Sequence, residues 1–137
     1  MIGPTARAQP HSVAVICTRN RPGPLRHCLE EVLKCNPLPA EVVIVDSSDD
    51  AATATALAEF ELRAKTPLRY IKSTPGLPHQ RNMAVSHVAA EIYHFIDDDV
   101  RVSAQYFVKL ESLLAVSGQS VGIVAGSDRS QRSSARF

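Results

Sequence analysis

Five short strand-like runs, SVAVIC (12–17), EVVIVD (41–46), LRYIK (68–72), EIYHFI (91–96) and VGIVA (121–125), punctuate the chain, and a helical pattern fills each gap between them. The first two runs are rich in β-branched residues without polar alternation, as in strands covered on both faces. After the first, Pro22, Gly23 and Pro24 break regular structure, and Pro24 is placed to begin a helix. Leu25, Cys28, Leu29, Val32 and Leu33 then recur at steps of three and four, giving one apolar face, until Pro37 and Pro39 stop it. The alanine-rich residues 51–65 predict a second helix with Leu57 and Phe60 facing inward and Leu62 as a further candidate. Residues 79–90 predict a third, with Met83, Ala84 and Val88 inward. Ser103 can cap a fourth running to about Val116, its buried face carrying Phe107, Leu110, Leu113 and Leu114.

Strand and helix in alternation call for a mainly parallel sheet flanked by helices, an α/β fold. Right-handed crossovers then gather every strand-to-helix loop on one edge. The polar clusters TRNR, DSSDD, the loop around Gly76 and DDD all fall there, where ligands bind in open α/β sheets.

The 137 residues suit one domain and one core. A formal charge of +1 gives no whole-protein attraction to nucleic acid or a membrane surface, so charge chemistry must be local. No stretch approaches the ~20 apolar residues of a membrane span, and the N-terminus lacks an apolar core of signal-peptide length. Cys17, Cys28 and Cys35 form no paired framework; the latter two sit about 10 Å apart along one helix, too far to bridge. A reducing, cytoplasmic setting is the expectation. Residues 1–11 read as a flexible leader, 12–126 as the folded domain, and the serine- and arginine-rich 127–137 as a disordered or truncated tail.

Three consecutive carboxylates, Asp97, Asp98 and Asp99, follow the fourth run. In an extended segment Asp97 and Asp99 point the same way and can share a hard divalent cation, while Asp98 points elsewhere. Magnesium or manganese so held completes its shell with water and phosphate oxygens, which suggests a metal diphosphate. The plain alternative is that the acids favour the positive end of the next helix. Thr18, Arg19, Asn20 and Arg21 offer hydroxyl, guanidinium and amide donors beside that loop, suited to phosphate or merely to solvent. Asp46 could accept bonds from a nucleobase or ribose, or cap the turn that Ser48 and Asp49 form. Gly76 permits close backbone approach, and Arg81 with Asn82 stands in the first turn of the following helix, an ordinary helix entry or an anion site.

Taken in order, VAVICTRNRP, EVVIVDSSDD, GLPHQRNMAV and IYHFIDDDV resemble the nucleotide-binding half of family 2 glycosyltransferases with the GT-A fold, over about residues 12 to 126. The resemblance implies a Rossmann-like sheet, a nucleotide-diphosphate sugar donor, a divalent metal (manganese or magnesium) and transfer with inversion to an acceptor that could be a glycan, lipid or small molecule. It would set Thr18 and Arg21 along the nucleotide, Asp46 at the base, and the Gly76 loop with Arg81 and Asn82 beside the donor, with Arg19, Asn20 and Ser48 as further substrate-binding candidates. Asp97 would approach ribose or sugar and Asp99 would ligate the metal, with Asp97 a second metal candidate and Asp98 a further substrate-binding candidate. Val100 stands where many relatives carry another acid. The family's later acidic general base has no matching context here, so the resemblance implies an incomplete catalytic domain, with an open sheet edge able to pair with another copy. Two other readings compete: a noncatalytic nucleotide-sugar or metal-binding remnant, and a haloacid dehalogenase-type phosphatase, against which Arg101 stands where threonine or valine is expected.

Overall fold

A computed structural model describes residues 9–118 and 121–126. The first run becomes β1 (Ser12–Thr18), which is buried throughout except at the half-buried Cys17. It lies inside the sheet, with β2 (Glu41–Asp46) on one side and β4 (Ile92–Asp97) on the other. β3 (Leu68–Lys72) pairs with β2, so the order is β3-β2-β1-β4 with every pairing parallel. Parallel strands need crossovers, supplied by α1 (Pro22–Val32), α2 (Ala52–Glu61) and α3 (Leu77–His87). α4 (Tyr106–Val116) follows β4.

Alternation along each strand divides the core into two layers. Ala14, Ile16, Val42, Ile44 and Ile96 meet Leu25, Cys28 and Leu29 of α1, Leu57 and Phe60 of α2, and Phe107 of α4. Val13, Val15, Val43, Val45 and Ile71 meet Ala84 and Val88 on the opposite face, covered by α3. The change of face follows from the strand order. The first two crossovers step outward from β1 and the third returns across the sheet to β1's other side.

Several expectations shift. α1 begins at Pro22 rather than Pro24, because proline at the first helical position gives up only an N–H that has no intrahelical partner. Leu62 is 94% exposed and α2 ends before it, since two residues beyond the buried Phe60 is nearly the opposite side of a helix. α3 starts at Leu77, with Pro78 in its first turn and Gly76 as N-cap at φ 135°, a backbone region that favours glycine. Ser103 does not cap α4; its carbonyl accepts from Tyr106 N at 2.9 Å, and the helix starts later. α4 meets the core through its first turn, where Phe107 packs edge-on against His94, itself bonded to Glu111 at 2.9 Å. Leu110 and Leu114 are half-buried and Leu113 is exposed, because no described layer covers the later turns. Residues 121–126 form no strand, and Ile123 is exposed: an apolar run without a pairing partner leaves its backbone groups to water.

His11, assigned by sequence to the leader, is tied to the fold: its carbonyl accepts from Glu91 N at 2.8 Å and its N–H donates to Glu91 Oε2 at 2.6 Å. Residues 1–8 of the expected leader and the expected tail, 127–137, lie outside the described residues. Among the described residues no helix is long and apolar enough to cross a membrane.

The burial contrast on α2 is testable by urea denaturation. Phe60→Ala should cost about 3–5 kcal/mol, whereas Leu62→Ala should stay within about 0.5 kcal/mol. Equal losses would contradict the helix register.

Candidate functional site

The strand order reverses between β1 and β4, and a crevice opens at the carboxyl ends of strands at such a point. Here the crevice is a cleft of about 400 Å³ lined by Cys17, Thr18, Arg19 and Arg21 from β1 and its loop, Leu77 and Gln80 from α3, and the three aspartates after β4. A smaller cavity of about 270 Å³ lies at the opposite end of the sheet against Pro10, Pro37 and Phe107 and gathers no comparable set of charges.

β4 ends at Asp97, and Val100 N donates back to Asp97 O at 3.3 Å, so the triplet turns rather than running on extended. The three carboxylates therefore separate by partner. Asp98 is buried: Thr18 Oγ1 donates to its Oδ2 at 2.8 Å and Arg21 Nη1 to its Oδ1 at 2.9 Å. The other arm of Arg21, Nη2, donates to Asp99 Oδ2 at 3.0 Å. Asp97, at the strand end on the α3 side, faces Arg81 at 3.6 Å, and that guanidinium also lies 5.5 Å from the centre of the Phe95 ring. Asp97 and Asp99 are exposed. Burial pushes the Asp98 carboxyl above its ordinary range; the Thr18 bond and Arg21 charge oppose this, and the neighbouring Asp99 and Asp97 add to it. Burial likewise raises the Cys17 thiol to about 11, so it faces the cleft as a neutral group.

Asp46 takes the turn-capping role that the sequence offered beside a contact to the base. It has no exposed surface, and it accepts from Ser48 N at 2.8 Å, Ser48 Oγ and Tyr70 OH at 2.8 Å, with Lys72 Nζ 3.7 Å away. With no exposed surface, this carboxylate meets a ligand only if the side chains covering it move. Ser48 Oγ in turn accepts from Asn20 N at 2.7 Å. Asn20 adopts φ 53°, a left-handed conformation that asparagine tolerates, and exchanges two bonds with Asp49 at 2.7 and 2.9 Å, while Arg19 pairs with Asp49 at 3.5 Å. Arg19, Asn20, Ser48 and Asp49 thus knit the β1 and β2 loops into one wall. Gly76 starts α3 but does not line the cleft, and Asn82 is exposed away from it.

Gln80 was not singled out by sequence, yet it is buried and reaches the cleft. Its signal was its position: Gln80, Ala84 and Val88 share one stripe at four-residue steps, and a polar group on a buried stripe needs a partner.

No three His, Cys, Asp or Glu side chains among the described residues gather to hold a metal. Two exposed carboxylates at one rim, Asp97 and Asp99, still suit a hard divalent ion that takes one or two protein oxygens and fills its shell with water and phosphate. The donor set fits magnesium or manganese rather than an ion needing a closed protein cage.

Glycosyl transferase family 2 matches residues 13–132. The chain belongs to this family. No curated protein matches it. Among solved structures, a mannosyltransferase from Pyrobaculum calidifontis in complex with GDP-Man and Mn2+ is similar with a TM-score of 0.77 and 24% identity, over 94% of this chain and 39% of that one. S. aureus TarS in complex with UDP is similar with a TM-score of 0.63 and 23% identity, over 77% of this chain and 32% of TarS 1-349. The complex of TarS with UDP-GlcNAc gives 0.62 and 22%, over 77% and 31%. At these identities the likeness is one of fold, and this family 2 domain has the parallel α/β architecture of GT-A glycosyltransferases. It spans well under half of each of these structures.

The raised Asp98 pKa fixes a sign. The folded state holds this proton more tightly than the unfolded state, so the contribution is full below 3.8 and is lost as pH rises through the folded value. Asp98→Asn, which stays neutral, should therefore gain stability relative to the parent as pH rises from below 3.8 to neutrality, measured by urea denaturation. A difference that is flat or of opposite slope would contradict the burial argument.

Proposed function

We propose that this family 2 domain binds a nucleotide-diphosphate sugar with manganese or magnesium at the β1/β4 rim, for inverting transfer to an acceptor hydroxyl. One observation supports this above the rest: Arg21 ties the buried Asp98 and the exposed Asp99 together beside Thr18, at the reversal of strand order. Arginine forks and exposed carboxylates side by side are what a diphosphate and its counter-ion require. The binding of GDP-Man with Mn2+ by the Pyrobaculum protein, and of UDP and UDP-GlcNAc by TarS, supports the same ligand class.

Asp99, with Asp97, would hold the ion, and a divalent ion there supplies positive charge to the diphosphate as the sugar bond breaks. Arg21 and Arg81, ion-paired to these aspartates, are within reach to exchange carboxylate for phosphate oxygens. Asp98 stays latched to Thr18 and sets the turn that presents its neighbours. Asp46 acts from beneath the base site, bracing Tyr70 and Ser48, rather than by direct contact. Three free thiols support a reducing, cytoplasmic setting. The dehalogenase-type reading is set aside by the family assignment.

A thermal-shift screen of nucleoside diphosphates with and without Mn2+, followed by calorimetry, tests this. The parent should be stabilised by a diphosphate only when the ion is present. Asp99→Ala should melt near the parent when ligand-free and bind the pair more than about tenfold more weakly. Stabilisation that survives chelation, or unchanged affinity in Asp99→Ala, would remove the ion from the site.

A further inference from the structure

Gln80 Nε2 donates to Thr18 O at 3.1 Å and to Val45 O at 2.9 Å, bridging the carboxyl ends of β1 and β2 from α3. Both partners are carbonyls, which only accept, so the amide can face them only through its nitrogen. Both of its N–H groups are spent there. Its carbonyl oxygen, Oε1, accepts no hydrogen bond from the described residues. No fully buried side-chain polar atom among them is without a partner, so Oε1 keeps some open surface, and Gln80 is one of the residues lining the cleft. A residue that lines the same cleft as Asp97 and Asp99 thus carries a neutral acceptor free of partners among the described residues, on an amide fixed by its two donated bonds.

An oxygen so placed repels phosphate oxygens and accepts from an O–H. We propose that Gln80 reads a hydroxyl of the bound ligand through Oε1, from either the ribose or the transferred sugar, while its nitrogen sets the position of Thr18. This rests on the nucleotide-sugar reading above.

Calorimetry with Mn2+ separates the two. First, UDP, GDP, ADP, CDP and dTDP are titrated into the parent; binding of none would overturn the nucleotide reading and this inference with it. Next, the diphosphate that binds is compared with its 2′-deoxy and 3′-deoxy forms, and its nucleotide sugar with forms lacking single sugar hydroxyls. One deletion should weaken binding by on the order of three- to tenfold, and its position tells ribose from sugar. Gln80→Met should weaken the complete ligand by a similar factor and show no further loss for that same deletion. If Gln80→Met weakens complete and deleted ligands by the same factor, Gln80 only supports the fold and the inference fails. If no hydroxyl deletion matters to the parent, it fails without any variant, which covers the case in which Gln80→Met does not fold.

Discussion

A single buried carboxylate holds the rim of the sheet together. Asp98 lies across the gap between the ends of β1 and β4, gripped by the Thr18 hydroxyl from one strand and by the Arg21 guanidinium from the loop beyond it. Burying a charge costs several kcal/mol unless partners satisfy it, so the turn after β4 is stable only in the arrangement that supplies both donors. That requirement fixes the neighbours. With Asp98 turned inward, Asp97 is left at the strand end beside Arg81 and Asp99 stands outside against the second arm of Arg21. The repulsion expected of three adjacent anions is relieved by giving each a different environment.

The position of this latch follows from topology. β1 is flanked by β2 and β4, and α1 and α2 cover one face while α3 covers the other. The chain therefore diverges at the carboxyl end of β1, and the space between the diverging loops cannot be filled by either crossover. Residues from β1, α3 and the β4 turn border it, where Arg21 is shared between Asp98 and Asp99 and Arg81 faces Asp97. A ligand carrying both negative charge and a cation offers the arginines an anion and the exposed aspartates a counter-ion, while Asp98 keeps its Thr18 bond.

The fold was legible where periodicity was strong. SVAVIC and EVVIVD are apolar on both faces because both strands are covered by helices on both sides, and the α1 stripe from Leu25 to Val32 is buried as spaced. Reading failed where apolar composition stood in for geometry. Leu62 and Leu113 are hydrophobic but occupy helix faces that nothing described covers, and VGIVA has strand-forming residues without a strand to pair with. At the site, the gathering of Thr18, Arg21 and the three aspartates was legible from the rule that such loops share one sheet edge. The separation of Asp98 from its two neighbours was read as a consequence of strand alternation, whereas it arises from a turn that begins at Asp97. The second oxygen of Asp46 is engaged by Tyr70, 24 residues further on in β3, a contact that no local pattern announces. Gln80 was hidden for a similar reason: its partners are main-chain carbonyls, to which sequence gives no clue.

The central claim is that exposed carboxylates beside an arginine-latched turn seat a divalent ion against a diphosphate. Crystals grown with Mn2+ and a nucleoside diphosphate, measured at the manganese absorption edge, test it most directly. An anomalous peak within bonding distance of Asp99, with diphosphate oxygens completing the shell and Asp98 still joined to Thr18, is the predicted result. Manganese elsewhere on the surface, or nucleotide bound away from the β1/β4 cleft, would contradict it.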